Sequence, residues 1–361
     1  MRICLNMIVK NEAAVIERCL RSVRPYIDCW AIADTGSTDG TQEIISAFLH
    51  DLPGALIERP WVDFSTNRNE ALQLARSYGD YALFIDADDV LETEPGFRFD
   101  SLTAQKYAAE RNIDGVSSWS TLLARLDLDW TWRGVLHEML VCAEEEETVF
   151  LPGVRLGTFT DAGARSRDSL REKYARDADV LRAALEREPG NQRYRFYLAQ
   201  SLREAGKWSE AVETYRQCSF GSGSEEEIYF CKLMIAVLGE QLGVPEEAIV
   251  ETYLDAWRYR PQRAETPMRL AHFFIKRGRF EQARDCARAA IALPPSTDRL
   301  LVDRSAWGWR SRDDLAMALF HLGDEAACIG IYREMLTDSD LPGPERARIQ
   351  RNLDRLTKSV R

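Results

Sequence analysis

Residues 81–89 read YALFIDADD, an apolar run of five residues followed by Asp-Ala-Asp-Asp. A run this apolar is typical of a central strand of a parallel sheet, which is buried on both faces. Ligands of open α/β sheets bind beyond the carboxyl ends of the strands. Asp86 and Asp88 leave the strand end with only Ala87 between them, so both carboxylates can reach one point above the sheet. The segment therefore predicts a buried strand that ends in a ligand site.

The residues before this strand alternate short apolar runs with amphipathic segments, which is the pattern of a parallel sheet with helices on its faces. It predicts strands at residues 3–9, 30–33 and 55–59 and a helix at about 67–78. Asn11 is expected to cap the helix after the first strand. The second strand ends in the turn-rich segment DTGSTDGT, residues 34–41. Polar clusters thus follow three strands, and the site is predicted there.

From about residue 167 onward the sequence predicts helices only, and a repeat is visible when four glycines are aligned: Gly206, Gly243, Gly278 and Gly323. An alanine lies seven residues before each glycine, and a small residue lies five residues after it. The glycine separations are 37, 35 and 45 residues. The first two are close to the tetratricopeptide period of about 34 residues, and the third indicates one insertion. The pattern predicts a helical solenoid and two domains, at residues 1–168 and 169–361.

The composition narrows the class of protein. Hydrophobic residues make up 45% of the 361 residues and charged residues 29%, as in globular proteins with a sizeable core. The net charge of -11 opposes binding to the phosphates of nucleic acid. The eight cysteines form no C-x-x-C pair and no zinc-type cluster with histidine. Without a secretory leader or an apolar run that spans a bilayer, the sequence predicts a cytoplasmic protein with no transmembrane segment.

Asp86 and Asp88 are candidate metal ligands because Mg²⁺ and Mn²⁺ prefer carboxylate oxygens. Such a cation is held by one or two carboxylates together with substrate phosphates, and it can neutralise a diphosphate leaving group. An isolated D-x-D pair is common in proteins, so the surrounding motifs decide whether this interpretation holds.

Four motifs occur in order along the first 89 residues: MIVKNE at 7–12, DTGSTDGT at 34–41, RNEAL at 68–72 and DADD at 86–89. Together they resemble glycosyltransferase family 2, whose fold is called GT-A. The resemblance implies an α/β GT-A catalytic domain, Rossmann-like with a mainly parallel sheet, followed by an all-α tetratricopeptide-type solenoid. It also implies a nucleotide diphosphate sugar as donor, expected to be a UDP-sugar, and Mn²⁺ or Mg²⁺ as cofactor.

The resemblance assigns roles by position. Asp34 and Thr35 correspond to contacts with the base or ribose, Asp39 braces the turn, and Arg68 faces the diphosphate. The full set of donor-site residues that it implies is Val9, Asn11, Glu12, Asp34, Thr35, Ser37, Asp39, Arg68, Asp86, Ala87 and Arg165. Arg165 belongs to GARS, residues 163–166, which resembles a segment at the end of the catalytic domain of repeat-bearing relatives. A guanidinium there can close over a diphosphate, and a solvated hinge between domains is the alternative.

A further block, WTWRGVLHE at residues 130–138, resembles the W-x-G-x-x-H-E element of bacterial family members that carry tetratricopeptide repeats. The resemblance implies that His137 completes a metal site with Asp86 and Asp88, of which Asp88 makes the most direct and catalytic contact. The alternative of a hydrogen-bonded core histidine stays open. Family members generally invert the anomeric carbon, which requires a carboxylate base. Glu138 is the predicted base, but the usual Glu-Asp motif is not visible, so the base and the stereochemistry stay open.

The combination of this catalytic domain with a C-terminal solenoid resembles bacterial peptide glycosyltransferases of the sublancin type. It implies transfer of a sugar to a side chain of a peptide or protein that binds the repeat domain. Two alternatives stay open: a transferase of lipopolysaccharide or another glycan, and a tetratricopeptide adaptor with a vestigial catalytic domain. Intact Asp86 and Asp88 argue against the adaptor. Solenoids often form dimers, which favours a homodimer, and the acidic run at residues 144–147 is predicted to be an exposed loop.

Overall fold

A computed structural model of the protein describes residues 1–113, 115–144, 147–158, 169–339 and 341–359. The chain separates into two units, Met1–Thr214 and Tyr215–Arg361. The first unit contains the sheet and also the first helices of the repeat region. The domain boundary predicted at residue 168 lies outside the described residues and stays a prediction. Within the described part, no helix is both long and apolar enough to cross a membrane.

The first unit is built on a mixed sheet. Its strands are β1 (Ile3–Val9), β2 (Cys29–Asp34), β3 (Gly54–Glu58), β4 (Tyr81–Phe84), β5 (Asp89–Thr93), β6 (Lys106–Ile113), β7 (Val116–Arg125), β8 (Thr131–Arg133), β9 (Met139–Val141) and β10 (Thr148–Thr158). The strand order is β3-β2-β1-β4-β7-β6-β10-β5, and β8 pairs with β9 in a separate hairpin. The first four strands in this order are parallel, whereas β7 is antiparallel to both its neighbours. The predicted α/β fold with a mainly parallel sheet is confirmed.

Among the described residues, six α-helices belong to the first unit or begin in it. They are α1 (Ile16–Val23), α2 (Thr41–Phe48), α3 (Phe64–Ala75), α4 (Leu170–Arg187), α5 (Gln192–Glu204) and α6 (Trp208–Ser219). The sheet is buried on both faces at its centre, because every residue of β2 and β4 is buried. Ile32 and Leu83 belong to one hydrophobic cluster, and their neighbours Ala31 and Ala82 belong to another, since successive strand residues point to opposite faces.

Two helix starts differ from the sequence-based prediction. Helix α3 begins at Phe64, three residues before the predicted start, because the Asp63 carboxylate accepts a hydrogen bond of 2.7 Å from Thr66 N and caps the helix there. The prediction that Asn11 caps the first helix is wrong. Helix α1 begins at Ile16 without a side-chain cap, and the Asn11 side chain binds a neighbouring loop instead.

The second unit consists of helices that follow one another in pairs. Its elements are α7 (Glu225–Gln241), α8 (Glu246–Tyr259), α9 (Glu265–Ile275), α10 (Phe280–Ala292), the short strand β11 (Val302–Asp303), α11 (Trp309–His321), α12 (Glu325–Thr337) and α13 (Gly343–Ser359). Each of the four glycines used for alignment lies in a turn between two helices and has a positive φ. The residue after each glycine donates to the carbonyl five residues earlier, as in a Schellman motif. The predicted helical repeat is confirmed.

The second repeat departs from the predicted register by one residue. Ala248 lies at the offset where the other three copies bury a small residue, but it is exposed and Ile249 is buried in its place. The physical reason is the turn after Gly243, where Val244 and Pro245 precede the helix. In the other three copies a single residue separates the glycine from the helix start. The extra residue displaces the buried face of α8 by one position.

The longest glycine separation is explained by the segment between α10 and α11, which is fixed by a fully buried arginine. Arg263 Nη1 lies 3.1 Å from Asp298 Oδ2, and Arg263 Nη2 donates to Glu265 Oε1 at 2.7 Å and to Leu301 O at 3.0 Å. Its guanidinium also lies 4.6 Å from the ring centre of Tyr229. A buried cation must be paired, so these contacts keep the inserted segment in place.

Candidate active site

The carboxyl ends of β1, β2 and β4 meet at one edge of the sheet because these strands are parallel. Strand β2 ends at Asp34, which is fully buried. Its Oδ1 accepts hydrogen bonds of 2.9 Å from Gly36 N, Ser37 N and Gln42 Nε2, whereas Oδ2 is buried without a partner. Burial raises the pKa of Asp34, but the bonds from Ser37, Gln42 and Gly36 outweigh it and lower the pKa. Asp34 is therefore an ionised carboxylate with one acceptor oxygen left for a ligand.

The loop after β1 is tied to the turn after β2. Asn11 N donates to Ser37 Oγ at 2.9 Å, and Asn11 Oδ1 accepts from Thr38 N at 2.8 Å. Asn11 has a φ of 57°, a left-handed conformation that asparagine adopts more readily than most residues. Thr35 donates to Val9 O from its main-chain nitrogen at 2.9 Å and from Oγ1 at 3.1 Å. These bonds bring the predicted donor-site residues of two loops together.

Asp39 makes a second tie between the same loops. Its Oδ1 accepts from Thr41 Oγ1 at 2.6 Å, and its Oδ2 accepts from Ala13 N at 3.1 Å. Glu12 N in turn donates to Thr41 Oγ1 at 2.8 Å. Burial raises the pKa of Asp39, but the hydrogen bonds from Thr41 and Ala13 outweigh it and lower the pKa. Asp39 thus has the geometry of a brace, which is the role that the resemblance assigns to it.

Arg68 on α3 joins two carboxylates. Its Nη2 lies 2.6 Å from Asp86 Oδ1, and its Nε lies 3.5 Å from Glu138 Oε2. The guanidinium also lies 5.3 Å from the ring centre of Trp132. Burial lowers the pKa of Arg68, but the charges of Asp86 and Glu138 outweigh it and raise the pKa. The structure thus brings the predicted diphosphate contact, a predicted metal ligand and the predicted base together in one chain of ion pairs.

A second arginine reaches the same aspartates from β6. Arg111 Nη1 lies 2.7 Å from Oδ2 of the fully buried Asp89, and it donates to Thr158 Oγ1 at 2.9 Å. Arg111 Nη2 lies 3.8 Å from Asp86 Oδ2. Burial raises the pKa of Asp89 to about 6, against the opposing charge of Arg111. Asp86 therefore lies between two guanidinium groups, one on α3 and one on β6.

Asp88 lies between these charged residues with its own carboxylate largely buried. Burial and the charge of Asp86 raise the pKa of Asp88, whereas Arg111 and Lys173 oppose the shift. The Asp88 carbonyl accepts from Arg18 Nη2 at 3.4 Å. Ala87 between the two aspartates is buried and belongs to the hydrophobic cluster beneath the site. The segment after β4 thus concentrates negative charge at the edge of the sheet.

The W-x-G-x-x-H-E element forms the β8–β9 hairpin, whose connection comprises residues 134–138. Asn69, next to Arg68 on α3, holds the first strand: its Oδ1 accepts from Trp132 N at 2.7 Å and its Nδ2 donates to Trp132 O at 2.9 Å. Gly134 has a φ of 120°, and a Cβ there would lie 3.4 Å from Glu138 Cα. The turn therefore requires glycine at this position.

Replacing Asn69 by alanine is expected to lower the free energy of unfolding by about 1–3 kcal/mol, because two main-chain groups of Trp132 lose their partners. Urea unfolding measures the change. Asn69→Asp keeps the acceptor for Trp132 N and loses the donor to Trp132 O. Its free energy of unfolding should therefore lie between those of the native protein and Asn69→Ala. An unchanged midpoint for Asn69→Ala would show that α3 does not hold the hairpin.

His137 lies at the end of the same connection, and its side chain is exposed. Its φ is 53°, and its imidazole stacks on Tyr197 of α5 with ring centres 3.8 Å apart and an angle of 8° between the planes. Arg193 donates to His137 O from Nε at 3.2 Å and from Nη2 at 3.0 Å. Because His137 is exposed, the alternative of a buried core histidine is wrong.

Comparison with known proteins finds a family that matches the N-terminal part of the chain. Residues 4–95 match the model of the family described as glycosyl transferase family 2. The first unit carries a family 2 glycosyltransferase domain. The matched segment includes β1 to β5 and ends just after Asp86, Asp88 and Asp89.

Curated relatives resemble both parts of the chain. A TPR repeat-containing protein of Synechococcus elongatus is 27% identical over 319 residues, which are 81% of this chain and 76% of that protein. The SPbeta prophage-derived glycosyltransferase SunS of Bacillus subtilis is 26% identical over 225 residues, 58% of this chain, and the match spans about half (51%) of SunS. A crystal structure of a tetratricopeptide repeat protein from Parabacteroides merdae aligns with 52% of this chain and 66% of its own, at 17% identity and a TM-score of 0.40. In this chain the helical repeats follow the segment that matches the family 2 model.

The glycosyltransferase domain has donor atoms that fit a divalent cation in part. Asp86 and Asp88 supply two hard oxygen ligands, and a cation would relieve the mutual repulsion that helps to raise the pKa of Asp88. The described residues contain no group of three or more His, Cys, Asp and Glu side chains arranged to hold a metal ion. Phosphate oxygens of a substrate would therefore have to complete the coordination. The role of His137 as a metal ligand stays a prediction.

Several residues of the transferase site were missed or lie outside the described range. Arg111 could have been noticed, because it follows Tyr107 and Ala109 on the buried face of β6, where a charge is unusual. Arg193 and Tyr197 gave no such signal, because their contacts with His137 depend on the packing of α5. Arg165, the GARS segment at residues 163–166 and residues 145–146 of the acidic run lie outside the described residues.

Proposed function

We propose that the protein is a metal-dependent glycosyltransferase that moves a sugar from a UDP-sugar to a side chain of a peptide or protein, with inversion at the anomeric carbon. The observation that carries the proposal is the chain of ion pairs from Asp86 through Arg68 to Glu138. It combines a carboxylate suited to a cation, a guanidinium suited to a diphosphate and a carboxylate suited to accept a proton.

Asp34 supports a uridine nucleotide as the donor. Its buried Oδ2 lacks a hydrogen-bond partner, and leaving such an oxygen unpaired is costly. The imide N–H of uracil or a ribose hydroxyl supplies the missing donor. Thr35 and the loop residues held by Asn11 and Asp39 surround this position, so that the nucleotide would be bound by a preformed turn.

Arg68, Asp86 and Asp88 would act on the diphosphate. Asp86 and Asp88 would hold Mn²⁺ or Mg²⁺, with His137 as a further ligand. The bound cation offsets the negative charge that develops on the leaving diphosphate. The Arg68 guanidinium donates to diphosphate oxygens, and its movement toward them weakens its ion pair with Glu138. Donor binding would thereby release the base.

Glu138 then accepts the proton of the acceptor nucleophile, which is a hydroxyl, thiol or amide group. As the proton moves to Glu138, the nucleophile forms a bond to the anomeric carbon and the bond between that carbon and the diphosphate oxygen breaks. The electron pair of the broken bond leaves with UDP. Direct displacement of this kind inverts the anomeric carbon. The repeats support a peptide acceptor because stacked helix pairs form extended binding surfaces. A cytoplasmic location and a homodimer remain predictions of the sequence.

A thermal-shift screen of nucleotide diphosphate sugars, with Mn²⁺ or with a chelator, tests the proposal. A UDP-sugar at 100 times its Kd should stabilise the fold by about 2.7 kcal/mol, and the shift should require metal. UDP that carries a methyl group on uracil N3 cannot donate to Asp34, so its affinity should be lower by about 10- to 100-fold.

The controls separate the competing functions. A metal-dependent shift that is lost in Asp88→Asn, followed by transfer to a peptide library, supports the proposal. If a nucleotide sugar raises the melting temperature but the sugar is transferred only to glycan or lipopolysaccharide, the acceptor is a glycan and the peptide acceptor is wrong. If no nucleotide sugar changes the melting temperature with either metal, the chain is an adaptor and the proposal is wrong.

A further inference from the structure

Helix α5 contributes more to the candidate active site than the family 2 motifs indicate. The family model ends at residue 95, and the hairpin connection at residues 134–138 lies beyond it. Helix α5, Gln192–Glu204, still belongs to the first unit, Met1–Thr214. Arg193 and Tyr197 on this helix contact that connection.

The connection needs external support because its backbone is strained. His137, which is not a glycine, has a φ of 53°. A non-glycine residue in the left-handed region costs about 1–3 kcal/mol and persists only where its surroundings hold it. The next residue is Glu138, so the direction of its carboxylate depends on the conformation at His137.

Arg193 and Tyr197 supply this support at two different atoms. The two donors of Arg193 at 3.2 and 3.0 Å fix the carbonyl of His137, which otherwise could rotate with the peptide plane. The Tyr197 ring fixes the imidazole by stacking at 3.8 Å. The Arg193 guanidinium lies 4.8 Å from the Tyr197 ring centre, so the two residues also order each other.

We propose that Arg193 and Tyr197 are positioning residues that hold the strained His137 backbone and thereby direct Glu138 toward the acceptor. The inference rests on the proposed function, because it assumes that Glu138 acts as the base. A purely structural role would produce a different result. The contacts of Arg193 are at the protein surface, where a hydrogen bond adds little to stability, so their loss should affect catalysis more than folding.

Arg193→Ala and Tyr197→Leu should each lower kcat by about 10- to 100-fold, since a small misplacement of a catalytic group has effects of this size. For Arg193→Ala the donor KM should change by less than about threefold, because Arg193 acts on the His137 carbonyl rather than on its imidazole. Arg195→Ala is the matched control: Arg195 is on the same helix and also donates to a carbonyl, that of Pro189, at 2.7 Å. It should keep the native kcat. Tyr197→Phe preserves the stacked ring and should restore activity.

Hydrogen exchange of the full-length protein without substrate gives a second readout. Exchange of the amides of residues 134–140 should be faster in Arg193→Ala than in Arg195→Ala, with similar melting temperatures for both. If the two variants show equal exchange and kcat values within twofold of each other, the inference is wrong. If the native protein transfers no sugar, the proposed function fails, and the exchange data still decide whether α5 holds the hairpin connection.

Discussion

Replacing Asp88 by asparagine is expected to lower kcat for sugar transfer by about 1,000-fold without loss of stability. The asparagine side chain has nearly the same shape but lacks the charge that binds a divalent cation. A loss of about 4 kcal/mol of transition-state stabilisation corresponds to this factor. In the presence of a chelator, the melting temperature should be equal to or above that of the native protein, because the substitution removes a buried carboxylate that is repelled by Asp86.

The opposite response of activity and stability is what identifies Asp88 as functional. A residue retained for folding would lose stability when it is replaced, whereas a site residue held against repulsion gains it. Asp51→Asn is a suitable control, because Asp51 forms an exposed ion pair with Arg24 and the sequence assigns it no role at the site. Full activity of Asp88→Asn with Mn²⁺ present would contradict the assignment of the metal site.

The sequence predicted the elements of the first unit well, because their signals are local. The apolar run at residues 81–85 and the apolar run of β2 depend only on neighbouring residues, and both strands lie within one residue of the predicted bounds. The glycines of the repeats were equally visible, since each turn needs a positive φ that glycine adopts without strain. Helix pairs could therefore be counted from the sequence.

Two differences between the sequence-based prediction and the structure arise from groups or residues close to the position concerned. Asn11 has the chemistry of a helix cap, but Thr38 N in a neighbouring loop offers a better-placed donor, and that loop is adjacent only in the folded chain. Ala248 has the expected size at the expected offset, yet one extra residue in the turn after Gly243 moves it to the surface. Both differences depend on local geometry that a residue pattern does not contain.

The site was predicted as a set of residues but not as a network. Arg68, Asp86 and Glu138 were each assigned a role, and the structure shows that they are joined by ion pairs. Arg193 and His137 are 56 residues apart in the sequence, so no local pattern predicts their contact.

Replacing Arg111 by methionine is expected to destabilise the protein by about 3–5 kcal/mol, which is the usual result of removing one partner of a buried ion pair. Asp89 is fully buried, and Arg111 is its guanidinium partner at 2.7 Å. Methionine fills a similar volume, so the loss should come from the uncompensated carboxylate. Urea unfolding with a chelator present measures the effect. Arg155→Met is the matched control, because Arg155 lies at an exposed position on β10, 4.0 Å from Glu92, and its loss should cost less than about 1 kcal/mol.

Adding Asp89→Asn to the Arg111→Met variant should restore part of the stability, because a neutral amide is less costly to bury than an unpaired charge. The pH dependence provides a further test. In the native protein burial raises the pKa of Asp89 to about 6, so the folded state binds this proton more tightly than the unfolded state. The stabilisation by protonated Asp89 is fully present below about pH 4 and is lost as the pH rises through about 6. Without Arg111 the pKa of Asp89 should rise further. The difference in stability between the variant and the native protein should therefore widen as the pH rises above about 6. A gap that is independent of pH would show that the destabilisation comes from packing around Arg111 rather than from the charge of Asp89.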